Sequence, residues 1–160
     1  MTAQTGRTTF DYLQFNVDDS GGTLRSIPID SVNGVGLEYE EMELTAYQDA
    51  IKNVLLATPD CVIEITGPFD TTAAAAAGTL SGSHTILNGI NGLMIPLSLD
   101  VQVGMRHAWE SGEPQFGMTA TATAGFICTK YVPDLNAGKY VARFRVMGGT
   151  APAWGTAAET

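Results

Sequence analysis

The side chains that carry most enzyme chemistry are scarce in this chain, and their spacing is wrong for it. Two histidines are present, His84 and His107, in neither a His-x-x-x-His nor a Cys-x-x-Cys arrangement. Each reads as a surface or hydrogen-bonded loop histidine rather than a metal ligand. Cys61 and Cys128 fall in strand-like segments and read as buried, inert thiols; two are too few for a disulfide framework or a cysteine-based zinc site. Gly34 and Gly36 are half of a dinucleotide fingerprint, with no third glycine and no following helix, and read as a turn. Asp18-Asp19-Ser20-Gly21 lacks the twelfth-position glutamate of a calcium loop and reads as a hairpin turn. Ser81 and Ser83 flank glycine outside any Gly-x-Ser-x-Gly pattern. No catalytic, cofactor-binding or metal-binding residue is assigned, and no cofactor is expected.

What remains is charge. The 160 residues hold 17 acids against 8 bases, a formal net of −9. Residues 1–70 carry twelve of the acids and three of the bases, so the whole excess lies in the first half. Glu38, Glu40, Glu41 and Glu43 fall within six positions. A sequence pI near 4.4 speaks against gripping nucleic acid through its phosphates, which takes clustered Lys and Arg. The glutamate cluster has two readings, a solvated strand face or an acidic wall set against another polyanion. Glu38, Glu40, Glu64 and Asp100 are the candidates for an exposed acidic sheet face.

The elements that hold these residues are mostly strands. Leu13, Phe15 and Val17 alternate with Tyr12, Gln14 and Asn16, the period of a half-buried strand. Val35, Leu37 and Tyr39 oppose Glu38 and Glu40 until the pair Glu40-Glu41 breaks the period, which predicts a bulge or a kink. Cys61, Ile63 and Ile65 face inward, with Glu64 outward. Long strands are predicted over Leu93–Val103, Gln115–Tyr131 and Lys139–Met147. The one strong helix is predicted after Thr45-Ala46-Tyr47-Gln48, which has the form of a capping box; Tyr47, Ile51, Val54 and Leu55 make its apolar stripe, and Pro59 ends it. His84–Ile90 is a shorter helix candidate, and the alanine-rich stretch at 71–83 reads as a mobile loop.

The expected fold is therefore mainly β: an antiparallel β-sandwich or barrel of six or seven strands with one flanking α-helix. One domain spans residues 1–150, and 151–160 form an extended C-terminal arm. No apolar run reaches the roughly 18 to 20 residues that span a bilayer, so no membrane partner is expected. Met1–Gly6 lacks the charged and apolar regions of a secretory leader.

The order of these segments resembles the tail tube protein (major tail protein) of long-tailed bacteriophages, from about Phe10 to Thr156. The resemblance rests on Asp18-Asp19-Ser20-Gly21-Gly22-Thr23-Leu24, Ile29-Asp30-Ser31-Val32-Asn33-Gly34-Val35 and Tyr39-Glu40. It continues through Thr45-Ala46-Tyr47-Gln48-Asp49, Ile65-Thr66-Gly67-Pro68-Phe69-Asp70 and Glu113-Pro114-Gln115-Phe116-Gly117, then Tyr131-Val132-Pro133 and Trp154-Gly155-Thr156. The alanine run at 73–77 has no counterpart in that family. The resemblance implies a non-enzymatic virion protein, assembled in the host cytoplasm into the tail. Six copies would form a ring, and rings would stack into a tube through which viral DNA passes without specific binding. The partners so implied are other copies of the chain and other tail proteins. Another virion part, a capsid decoration or head–tail joining protein, is the alternative. A carbohydrate-binding sandwich is disfavoured because only Trp109 and Trp154 are available and neither lies in a predicted sheet face.

Overall fold

Alternating apolar residues build two sheets that close on one another. The computed structural model describes residues 2–76 and 78–160. Met1 of the leader reading and Ala77 of the alanine run lie outside the described residues. In chain order the elements begin β1 (Tyr12–Asp18), β2 (Leu24–Ile27), β3 (Ser31–Asn33), β4 (Glu38–Glu43), β5 (Val54–Asp60) and β6 (Val62–Pro68). They continue as α1 (Ser83–Ile90), β7 (Leu99–Gly104), β8 (Gln115–Met118), β9 (Gly125–Asp134), β10 (Lys139–Met147) and β11 (Ala153–Gly155). One sheet has the order β11-β8-β7-β1-β2 and the other β3-β6-β10-β9; β4 and β5 pair only with each other. Every ladder is antiparallel. The mainly β, antiparallel fold with one short helix is as expected.

The core lies between the sheets. Phe15, Val17, Leu99, Val101 and Phe116 come from the first; Ile63, Ile65, Phe126, Tyr140 and Phe144 come from the second. The Phe15 and Phe144 ring centroids are 5.4 Å apart, so the two layers meet there. Ile86, Leu87 and Ile90 of α1 complete the cluster. Cys61 and Cys128 are both buried in it, and burial pushes their thiols up to about 11, with Asp60 adding to the effect at Cys61.

Several expectations differ from the structure. The helix after Thr45 does not form. Val54 and Leu55 are adjacent residues of β5, pairing with Glu43 and Met42. Thr45 instead closes a loop: Asn53 N–H donates to its Oγ1 at 3.0 Å, and Leu44 N–H to the Asn53 carbonyl at 2.8 Å. The flanking helix is α1, the segment read as the lesser candidate.

The two longest predicted strands are each shorter, because the chain changes sheets along them. Leu97 exchanges backbone hydrogen bonds with Phe126 of the second sheet, whereas Leu99 already pairs with Val17 of the first. Residues 119–124 likewise carry the chain from β8 to β9, turning where Thr121 N–H donates to the Ala124 carbonyl at 2.8 Å.

The alanine-rich loop is tied to β2, with Arg25 donating to the Ala75 carbonyl at 2.8 Å and Gly78 N–H to Ser26 Oγ at 2.9 Å. The C-terminal arm is also held, since β11 pairs with β8 and Trp154 packs 5.2 Å from Phe116. Among the described residues eleven strands thus replace the six or seven expected, because these sheet changes and short edge strands divide what periodicity joins.

Candidate assembly surface

The hairpin β4–β5 stands apart from both sheets. Its register sorts its residues onto two faces, one apolar and one that mixes acids with aliphatic residues. Glu38 pairs with Asp60, Tyr39 with Pro59, Glu41 with Leu56, Met42 with Leu55 and Glu43 with Val54, and the ladder slips between Tyr39 and Glu41. That slip is the bulge read from Glu40-Glu41. It places Tyr39 and Met42 on one side with Leu55, Ala57 and Pro59, while Glu38, Glu41 and Glu43 lie on the other with Val54 and Leu56. All six residues of β4 are exposed.

The apolar side has no cover. Tyr39, Met42 and Leu55 expose about half their surface, at 46%, 49% and 53%, and Tyr47 and Ile51 in the connecting loop expose more. A two-stranded hairpin is at best marginally stable alone in water. A contiguous exposed apolar face rimmed by charge marks an interaction surface.

The base of the hairpin is geometrically fixed. Gly34 and Gly36 adopt φ of +80° and +126°, the left-handed region that favours glycine. A Cβ on Gly34 would also lie 1.9 Å from the Val62 carbonyl oxygen. The Gly-x-Gly pair is therefore a bend, as its sequence context indicates. On the other strand Arg145 Nη2 lies 3.0 Å from Asp60 Oδ2, tying the base to β10.

The candidate acidic residues are not brought together. Glu38 and Glu40 are exposed on β4. Glu64 sits on the outer face of β6, half-exposed and 3.1 Å from Arg143 on β10. Asp100 is the correction: it is 0% exposed, covered by the C-terminal arm and hydrogen-bonded to Gln102 at 2.9 Å. Alternation placed it on the outer face correctly, but that face is covered. Burial raises its pKa, against hydrogen bonds from Gln115, Glu159 and Gln102.

His84 Nδ1 lies 2.9 Å from Tyr131 Oη, on α1 rather than in a loop; His107 contacts the Ala108 and Thr2 carbonyl oxygens. Among the described residues no group of three His, Cys, Asp or Glu is placed to hold a metal ion, and no helix is long and apolar enough to cross a membrane. The residues that sequence reasoning missed are Met42 and Leu55 as partners on one face. The signal was present as the apolar run Val54-Leu55-Leu56, which suits a strand as well as a helix.

No protein-family profile matches the chain, and no curated protein matches its sequence. Solved structures do match. The chain is similar to one from the sheath–tube complex of PVC, an extracellular contractile injection system, in the extended state. That match has TM-score 0.53 and 12% identity, over 96% of this chain and 94% of that one. The sheath/tube terminator of PVC in the extended state gives TM-score 0.53 and 12% identity, over 96% and 99%. The cap that terminates the tube of the anti-feeding prophage gives 0.51 and 12%, over 98% and 95%. At this identity the likeness is one of fold, and it spans nearly the whole of each chain.

Proposed function

We propose that this chain is a structural subunit of a tail-like tube, in which copies join around a six-membered ring and rings stack about a bore that passes DNA. The observation that carries the reading is the β4–β5 hairpin, whose uncovered apolar face calls for a partner. We commit to a second copy of the chain as that partner. The likeness in fold to tube and tube-terminating chains supports this choice. A groove of mixed character, with Tyr12, Pro28, Leu80 and Trp109 beside Asp11 and Asp30, supplies a different surface for the contact. A contact between two different patches is heterologous, the kind that generates rings and filaments.

Strand margins are the second way copies would join. β3 and β11 are three-residue edge strands. β2 and β9 are partly capped, by a bridge from Leu80 and by bridges from Asn91 and Leu97. Short and partly covered edges limit indiscriminate pairing and leave the hairpin to select the partner. Glu38, Glu40 and Glu64 remain the candidate acidic face toward a bore, and Asp100 leaves that set. Acids there would repel phosphates over the roughly 8 Å screening length of physiological salt, so DNA would slide.

Negative-stain images and sedimentation of the purified chain test the reading. Rings or tubes of constant diameter at high concentration are the expected result. Monomers alone, even with tail-completion partners present, would overturn it.

A further inference from the structure

The outer face of the five-stranded sheet is polar from β2 to β8. Asn16 stands opposite Ser26 and Asp100, and Gln102 opposite Gln14 and Gln115. Such a face normally meets water, yet Asn16, Ser26, Asp100, Gln102 and Gln115 are all nearly or fully buried. The chain after β11 lies across it. Glu159 N–H donates to Asp100 Oδ2 at 3.4 Å, and Thr160 N–H to Thr119 Oγ1 at 3.1 Å. Ser98 Oγ donates to the Thr160 backbone oxygen at 2.8 Å. Thr119 Oγ1 and Gln115 Nε2 donate to the Glu159 carboxylate at 2.6 and 3.2 Å. These contacts are polar throughout, and hydrogen bonds made in place of water contribute only about 1 kcal/mol each. Gly112 N–H donates to the Thr156 carbonyl at 2.8 Å as well, so the segment is held through hydrogen bonds and not by apolar packing.

The network under it is short of protons. Asp100 comes from β7 and Glu159 from the covering segment. Asp18 of β1, on the same face, accepts from Ser98 N–H at 2.9 Å, and the like charge acting on it is Asp19. β2, β8 and β11 bring no titratable group into the network, and among the described residues no Lys, Arg or His bonds to it. Asp100 Oδ1 and Asp18 Oδ1 are buried without a hydrogen-bond partner. An ionised carboxylate only accepts, whereas a protonated one donates. Closing the segment over an ionised Asp100 therefore buries a charge near a second one of the same sign, with no counter-ion.

We propose that residues 156–160 are a displaceable strap, docked while Asp100 beneath it holds a proton and released when Asp100 ionises, which opens the part of the polar sheet face that the strap covers. Burial acts on Asp18 and Asp100 in the direction this requires, favouring their neutral forms while the strap is closed. The closed form binds the proton more tightly, so it prevails in acid and is lost as pH rises.

A spin label on the full chain tests this without reference to assembly. Cys61 and Cys128 are buried, so Ala158→Cys, at an exposed strap position, offers a single reactive thiol. The label should be restricted near about pH 4.5, with a mobile fraction about tenfold larger near about pH 7.5. In Asp100→Asn the label should stay restricted at both values. Glu159→Gln, which takes a like-charged carboxylate away from Asp100, should shrink the mobile fraction near about pH 7.5 and keeps the test open should the core substitution fail to fold. Equal mobility at the two pH values in the parent, or a substituted chain that titrates like the parent, would overturn the proposal.

Discussion

Asp100 shows what one buried carboxylate does to the stability of this protein. Its raised pKa, and that of Asp18, means that their contribution is present below the ordinary carboxylate range and is lost as pH climbs through the folded values. Asp19 behaves oppositely: burial raises it, but hydrogen bonds from Thr23, Arg25 and Gly21 win, so its contribution fades as pH falls. Asp100→Asn should therefore raise stability at pH 7 by about 1 kcal/mol, as a partnerless charged oxygen is removed. It should also flatten the decline between about pH 4 and 7. Urea denaturation across that range measures both. Phe144, fully buried against Phe15, sets the opposite extreme. Phe144→Ala should cost about 3–5 kcal/mol by the same measurement.

At the scale of elements the hairpin separates stability from assembly. Leu55 is half-exposed, on a hairpin whose strands pair with neither sheet, so Leu55→Glu should change unfolding stability by less than about 0.5 kcal/mol. The same substitution should abolish self-association, read by sedimentation velocity, because it places a charge in the apolar face that Tyr39 and Met42 share. Gly34→Ala should act on the base instead. A left-handed φ and a Cβ position 1.9 Å from the Val62 oxygen together predict a loss of at least about 1 kcal/mol. That loss should come with weaker association, since the hairpin would be re-aimed.

For the whole molecule the governing term is the charge of −9, concentrated in the first half of the chain. Copies brought together repel one another, and dissolved ions screen that repulsion within about 10 Å at 0.1 M salt. Self-association should therefore strengthen as salt rises from about 0.01 to 0.15 M, measured by light scattering at fixed protein concentration. An interface held mainly by ion pairs would weaken over the same range. The sandwich tolerates the charge because its acids stand on the hairpin, on loops and on outer faces, with Asp18, Asp100 and Glu113 as buried exceptions.

The alternation in β1, β6 and β10, the Asp19 turn and the bulge at Glu40-Glu41 were legible from the residues alone. Each depends on neighbours two to four positions away, and the side-chain period of a strand is a local property. Whether Val54-Leu55-Leu56 is helix or strand was not legible, because β4 lies across a loop and local spacing fits both. Nor was the point at which residues 93–103 and 115–131 leave one sheet for the other, which is set by partners such as Phe126 and Val17. Asp100 turned outward as its position in the alternation requires. Only the tertiary structure decided that a strand and a strap from the far end of the chain would cover it, because burial is a property of what packs against a face.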